Sequence, residues 1–173
     1  MNRHFGILVA LIVLVSGCSK AAPPPAATES TAATSTSSAP AQNPQAAGGN
    51  FPDPCTLLSD AEVTQLTGRD ITQIDKDGAD TSAVTRYCQW QQSSGQLAVF
   101  LSRTTPDDFT VANNGAPAVA GVGEAAYFRD GHLYVLDRTI QLDVYARGGD
   151  DAQSQAEAIA VANALLPKLA SFA

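Results

Sequence analysis

The feature that most restricts the fold is a break in composition at Asn50. Residues 19–50 are Ala, Pro, Ser, Thr, Gln and Gly with almost no large apolar side chain. Such a stretch buries too little surface to offset the entropy of ordering it, so residues 18–50 are expected to be a disordered tether. Everything that can pack is thereby confined to residues 51–173. That span of roughly 120 residues is ordinary for one domain with one core, and no internal repeat divides it.

Residues 1–17 have the make-up of a leader. A basic start at Arg3 precedes an apolar run at 5–15 of about 11 residues, whereas a helix that crosses the hydrocarbon core needs about 20. The run ends in Val15-Ser16-Gly17-Cys18, which resembles the bacterial lipobox: small side chains admit a leader peptidase, and a cysteine at the first mature position offers a thiol that can take a diacylglycerol. The expectation is a signal peptide over 1–17, lipidation at Cys18, and a chain held by that lipid on the extracytoplasmic face of the cell membrane. The alternative is an ordinary signal peptide followed by a chance cysteine. Two or three acyl chains hold a protein stably where one does so only marginally.

Charge narrows the partners. The chain has 10 Lys+Arg against 17 Asp+Glu, a formal net charge of −7. Phosphate-backbone binding needs clustered basic residues, and those after the leader are spread singly from Lys20 to Lys168, so nucleic acid is not expected. No polybasic stretch sits beside Cys18, which leaves attachment to the lipid.

With Cys18 assigned to lipid, Cys55 and Cys88 remain in a chain sent to an oxidising compartment, and a disulfide between them is expected. By chain entropy it is worth about 3–4 kcal/mol. The alternative is two free or metal-binding thiols, but no His or further Cys accompanies them at ligand spacing.

Within the folded part, Ser59-Asp60-Ala61-Glu62 is a capping box for a short helix that buries Val63 and Leu66 and closes at Gly68. Strand patterns follow at 71–75, 84–92 and 96–102, the last two joined by a turn at Ser94-Gly95. Leu97, Val99 and Leu101 alternate with Ala98 and Phe100, so this strand is apolar on both faces and belongs in the middle of the sheet. Residues 104–123 read as irregular with room for one helical turn. Strands at 125–129, 132–137 and 139–147 come next, the first two joined at Asp130-Gly131. In the last, Ile140, Leu142 and Val144 face one side while Gln141, Asp143, Tyr145 and Arg147 face the other, so one sheet face is buried and the other is wet or covered by a ligand. Asp150 and Asp151 then open a long helix with Ile159, Ala162, Leu166 and Leu169 as its apolar stripe, kinked or stopped near Pro167. The economical architecture is α+β, an antiparallel sheet of about five or six strands with a short N-terminal helix and a long C-terminal helix packed on it.

Three segments also carry a family likeness. Asp53-Pro54-Cys55-Thr56-Leu57-Leu58-Ser59 ahead of a helix ending in Thr67-Gly68, then Tyr87-Cys88-Gln89-Trp90, then Gly121-Val122-Gly123-Glu124-Ala125-Ala126-Tyr127, resemble an actinobacterial lipoprotein family labelled domain of unknown function 3558. The likeness spans residues 51–173. It implies a cell-envelope lipoprotein with a Cys55–Cys88 bridge, and it brings no reaction and no catalytic residues to carry over.

Catalytic chemistry finds little to work with. His132 is the sole histidine after the leader; it follows a turn, where a surface residue is expected, and no Gly-x-Ser-x-Gly elbow accompanies it. Asp75, Asp77, Gly78 and Asp80 faintly resemble a calcium loop without the closing glutamate, and read as a solvated acidic turn. Gly121-Val122-Gly123 precedes a strand where a phosphate loop needs a helix. Trp90 shares a strand face with Cys88 and is expected to pack in the core. Glu124, Asp137 and Asp143 keep a carboxylate-based envelope hydrolase open as the alternative. The expected role is a non-catalytic binding module without metal or cofactor, presenting Tyr127, Tyr134 and Tyr145, or the 104–123 loop, to an envelope lipid, glycan or protein. A passive structural lipoprotein is the third reading.

Overall fold

A computed structural model describes residues 51–77, 80 and 82–172. The expected leader, Cys18 and the tether at 18–50 lie outside the described residues, as does Gly78. The order of elements is α1 (Pro54–Leu57), α2 (Asp60–Thr67), β1 (Ile71–Lys76), β2 (Thr85–Gln92), β3 (Gly95–Arg103), α3 (Pro106–Ala112), β4 (Ala125–Arg129), β5 (His132–Asp137), β6 (Ile140–Arg147) and α4 (Asp151–Leu169). The six strands form one sheet in the order β1-β2-β3-β6-β5-β4, every neighbour antiparallel. This is an α+β domain, and β3 is central in it. Among the described residues no helix is long and apolar enough to cross a membrane.

The core lies on one face of the sheet. Cys88, Trp90, Leu97, Val99, Leu101, Leu133, Val135, Leu142 and Val144 project there, and α1, α2 and α4 close over them. Cys55 on α1 is bridged to Cys88 on β2 with the Cα atoms 5.1 Å apart, so the entry to the domain is bound covalently to the sheet. Trp90 is fully buried beside it, and its Nε1 has no hydrogen-bond partner among the described residues. The buried stripe of α4 is Ser154, Glu157, Ala158, Val161, Ala162, Leu165 and Leu169. It is rotated from the expected one: Ile159 and Leu166 flank the seam half-buried, because the sheet seats Val161 and Leu165 at its centre. Pro167 falls within the last turn of α4, which ends two residues later at Leu169.

A buried polar knot fastens α4 to the far end of β2. The Arg69 guanidinium makes two hydrogen bonds to the Glu157 carboxylate, at 2.9 and 2.6 Å, and its Nε donates to Gln92 at 3.0 Å. Gly148, where β6 turns toward α4, has φ +151, and a Cβ there would collide with the Ser94 carbonyl and the Arg69 guanidinium. The chain crosses this knot only because that residue lacks a side chain.

The capping box on α2 is complete, with the Ser59 hydroxyl accepting from the Glu62 amide and Glu62 accepting from the Ser59 amide. Lys168 of α4 donates to Glu62 at 2.8 Å and to the Leu57 carbonyl at 2.7 Å. Lys168 first, and then Ser59, hold the Glu62 carboxyl down from its ordinary 4.5 to about 2. A lowered folded pKa stabilises the fold fully above the unfolded value and loses that contribution as pH falls through the folded one. Glu62→Gln is therefore expected to flatten the acid side of a thermal-stability profile between about pH 4.5 and pH 2. Identical acid limbs for the two proteins would dismiss the role given to this carboxylate.

Residues 104–123 hold more structure than their composition announces. Thr105 caps α3, Pro106 opens it, and Phe109 is fully buried. After it, residues 117–119 run beside β4, with the Val119 amide donating to Ala126 at 2.8 Å and the Phe128 amide to Pro117 at 3.0 Å. An otherwise open sheet edge is covered in this way.

Candidate functional site

The second face of the sheet is different in kind. Directly paired residues of antiparallel strands share a face, so the register writes out its rows. One row runs Tyr127, Tyr134, Asp143, Phe100 and Tyr87 across five strands. The adjacent row is Arg129, His132, Tyr145, Ala98, Gln89 and Asp75. Nearly all of these side chains are half-buried and polar or aromatic, and α3 reaches this face through Phe109. Phe109 of α3 sets its ring 5.7 Å from that of Tyr127, and Leu136 on the same face is buried. Tyr127 thus packs partly against a helix, whereas Tyr134 and Tyr145 flank His132.

His132 is the middle of this face. Its Nδ1 lies 2.8 Å from Oδ1 of Asp143, and the two side chains are 30% and 15% exposed. An ionised carboxylate only accepts, so the imidazole N–H donates to it. The His132 ring stacks on Tyr134 with 5.6 Å between centroids and an 8° tilt, and meets Tyr145 at 4.6 Å. Burial, with Asp143 on the paired strand, raises the Tyr134 phenol above its ordinary value, while the Arg129 guanidinium, 5.7 Å from the ring centre, works the other way. Tyr134 therefore stays a neutral donor and acceptor at physiological pH. The reading of His132 as a plain surface residue and of Asp143 as a solvated one is corrected here: each half-covers the other between two tyrosines. The cause is register. A two-residue turn at Arg138-Thr139, with Arg138 at φ +56, pairs Asp137 with Ile140 and so aligns Tyr134 with Asp143 and His132 with Tyr145.

The other acidic candidates do not join this group. Asp137 alternates to the opposite side of β5 and pairs with Arg138 at 3.2 Å. Glu124 is exposed ahead of β4, with its backbone amide bonded to Leu136. Asp77 is not a solvated residue: it is half-buried and pairs with Arg86 at 2.6 Å. Asp75 accepts from Gln89, and Asp80 from Ser82. Among the described residues no cluster of three or more His, Cys, Asp or Glu is arranged to hold a metal.

At one end the face runs into a cleft of about 400 Å³ between the β4–β5 turn, the end of β6 and the start of α4. Tyr145 and Arg147 form its sheet-side wall, with the Arg147 guanidinium donating to the Tyr145 hydroxyl at 3.2 Å. Asp130 and Gly131 form the turn, both at positive φ, as a tight two-residue hairpin requires. Beyond the turn lies a more apolar groove beside Pro117 and Phe128.

Residues 13–141 match the family described as Protein of unknown function (DUF3558). No curated protein and no solved structure shows significant similarity to the chain. The family match takes in most of the chain, including five of the six strands and the start of the sixth, and on it this chain belongs to the DUF3558 family.

Proposed function

We propose that this chain is a lipid-anchored protein of the bacterial cell envelope whose open sheet face is a non-catalytic binding platform for an envelope component. The observation that carries this reading is the placement of Tyr127, Tyr134 and Tyr145 on one sheet face, together with Phe100, Tyr87 and the His132–Asp143 pair, away from the core. Amphipathic rings give a large contact area at low entropic cost and accept both apolar and hydroxyl-rich surfaces. The anchor is supported by the leader pattern and by a family match that begins before Val15-Ser16-Gly17-Cys18. A covalent lipid and a long tether would let the platform reach components away from the membrane surface.

One experiment addresses both halves. The full chain, produced in a host that processes lipoproteins, is expected in the membrane fraction, and Cys18→Ala in the soluble fraction. Incubated with extracted envelope lipids and glycans, the chain should retain a component unchanged, and Tyr134→Ala with Tyr145→Ala should reduce retention at least about tenfold, since central aromatic anchors dominate such surfaces. Turnover of the component that disappears in Asp143→Asn would replace binding with hydrolysis. Unchanged membrane partitioning of Cys18→Ala would remove the anchor.

A further inference from the structure

We propose that the cleft at the end of the sheet is a subsite for one neutral sugar unit of an envelope glycan, whose chain continues over Tyr145 onto the open face. This deepens the platform reading and rests on it. The cleft, at about 400 Å³, lies within the range of small-ligand sites. Ser154 lines it, and among the described residues its hydroxyl is in no hydrogen bond, although the residue as a whole is only 5% exposed. A serine in the first turns of a helix usually bonds back to a carbonyl one turn earlier, but among the described residues the Asp150 carbonyl accepts only the Ser154 amide. Its oxygen is not among the buried polar atoms left without a partner, so the hydroxyl opens to the cleft, where a ligand hydroxyl could bond it without disturbing the fold.

The rest of the wall selects the ligand class. Asp130 and Asp151 offer acceptors, Arg147 offers donors, and Tyr145 offers a ring face. Gly131 lets that ring lie close over the turn, since a Cβ there would stand 3.1 Å from the ring edge. Two carboxylates oppose one guanidinium and the positive end of α4, whose Gln153 amide is already capped by Asp150. Groups of both signs therefore line the cleft, which suits a neutral ligand that both donates and accepts better than phosphate or a bare cation. A pyranose meets every requirement: vicinal hydroxyls for the carboxylates and Ser154, ring and glycosidic oxygens for Arg147, and a polarised C–H face for the aromatic ring. An acyl chain would meet mostly polar walls. Tyr145 belongs both to this cleft and to the row containing His132, Ala98 and Gln89, which gives the next sugar units a continuous path.

The test is an amide-resolved NMR titration of the full chain in detergent with neutral tetrasaccharides of N-acetylglucosamine and of glucose, and separately with inorganic phosphate. One tetrasaccharide is expected to shift the amides of Gly131, Arg147, Gly149 and Asp151. Ser154→Val and Ser154→Ala should each weaken its binding about tenfold at unchanged thermal midpoint, as loss of one buried hydrogen bond would. Tyr134→Ala should weaken it as well. Full affinity in both Ser154 variants with loss in Tyr134→Ala would overturn the subsite and leave the platform. Cleft shifts with phosphate alone, or retention of a lipid or protein with no response to either sugar, would overturn the sugar assignment.

Discussion

Glu157→Ala lowers the unfolding free energy by about 3–5 kcal/mol, the cost of stranding a buried charge whose partner has been removed. Arg69 and Glu157 are 7% and 10% exposed as side chains, so water cannot take over the carboxylate's role without opening the junction of α4 with the sheet. Among the described residues the guanidinium would keep only its bond to Gln92, whose amide nitrogen donates to Thr67 at 2.6 Å. Because the loss comes from the orphaned charge and not from the worth of the pair, Arg69→Met combined with Glu157→Leu is expected to recover most of it. Urea unfolding of the single and double variants measures both values as shifts in midpoint at constant slope. A single variant within about 1 kcal/mol of the unchanged chain would show that the knot is solvated in solution.

Replacing both bridged cysteines, as Cys55→Ala with Cys88→Ala, costs about 3–4 kcal/mol. The bridge closes a loop with a sequence separation of 33 and binds α1 to β2, so its loss releases the unfolded chain and also the segment that brings Phe51 and Leu58 into the core. For a domain of this size the thermal midpoint falls by more than about ten degrees. Alanine is the right substitute, since Cys88 is fully buried and a serine hydroxyl there would add a penalty of its own. The unchanged chain under strong reductant should show the same loss. Equal midpoints with and without reductant would mean that the bridge contributes nothing measurable.

Much of this fold is legible in the residues because local signals and tertiary demands agree. Ser59 and Glu62 start α2, Gly68 ends it, and the alternation in β6 already separates a core face from a second face. The three tyrosines fall on the second face for the same reason. What is not legible is how the strands align. Arg138 takes a left-handed conformation that nothing in its side chain announces, and from that single residue follows the pairing that brings His132 to Asp143. Helix α3 is hidden for another reason: one buried aromatic, Phe109, anchors it, and one apolar residue sets no period. The stripe on α4 is displaced because Ile159 and Leu166 are as apolar as Val161 and Leu165, and only the shape of the sheet decides which pair is central.

The sheet has consequences for how such a domain can diversify. Each strand sends alternate residues to two separate environments, so a change at Tyr134, Gln89 or Tyr145 leaves the packing of Val135, Cys88 and Val144 untouched. Recognition and folding can therefore be altered independently at adjacent positions of the same strand. The coupling appears only in length: a single inserted or deleted residue within β6 would move Tyr145 inward and Val144 outward together. The outward residues can thus be exchanged without cost to the core, whereas a change of length inside a central strand cannot.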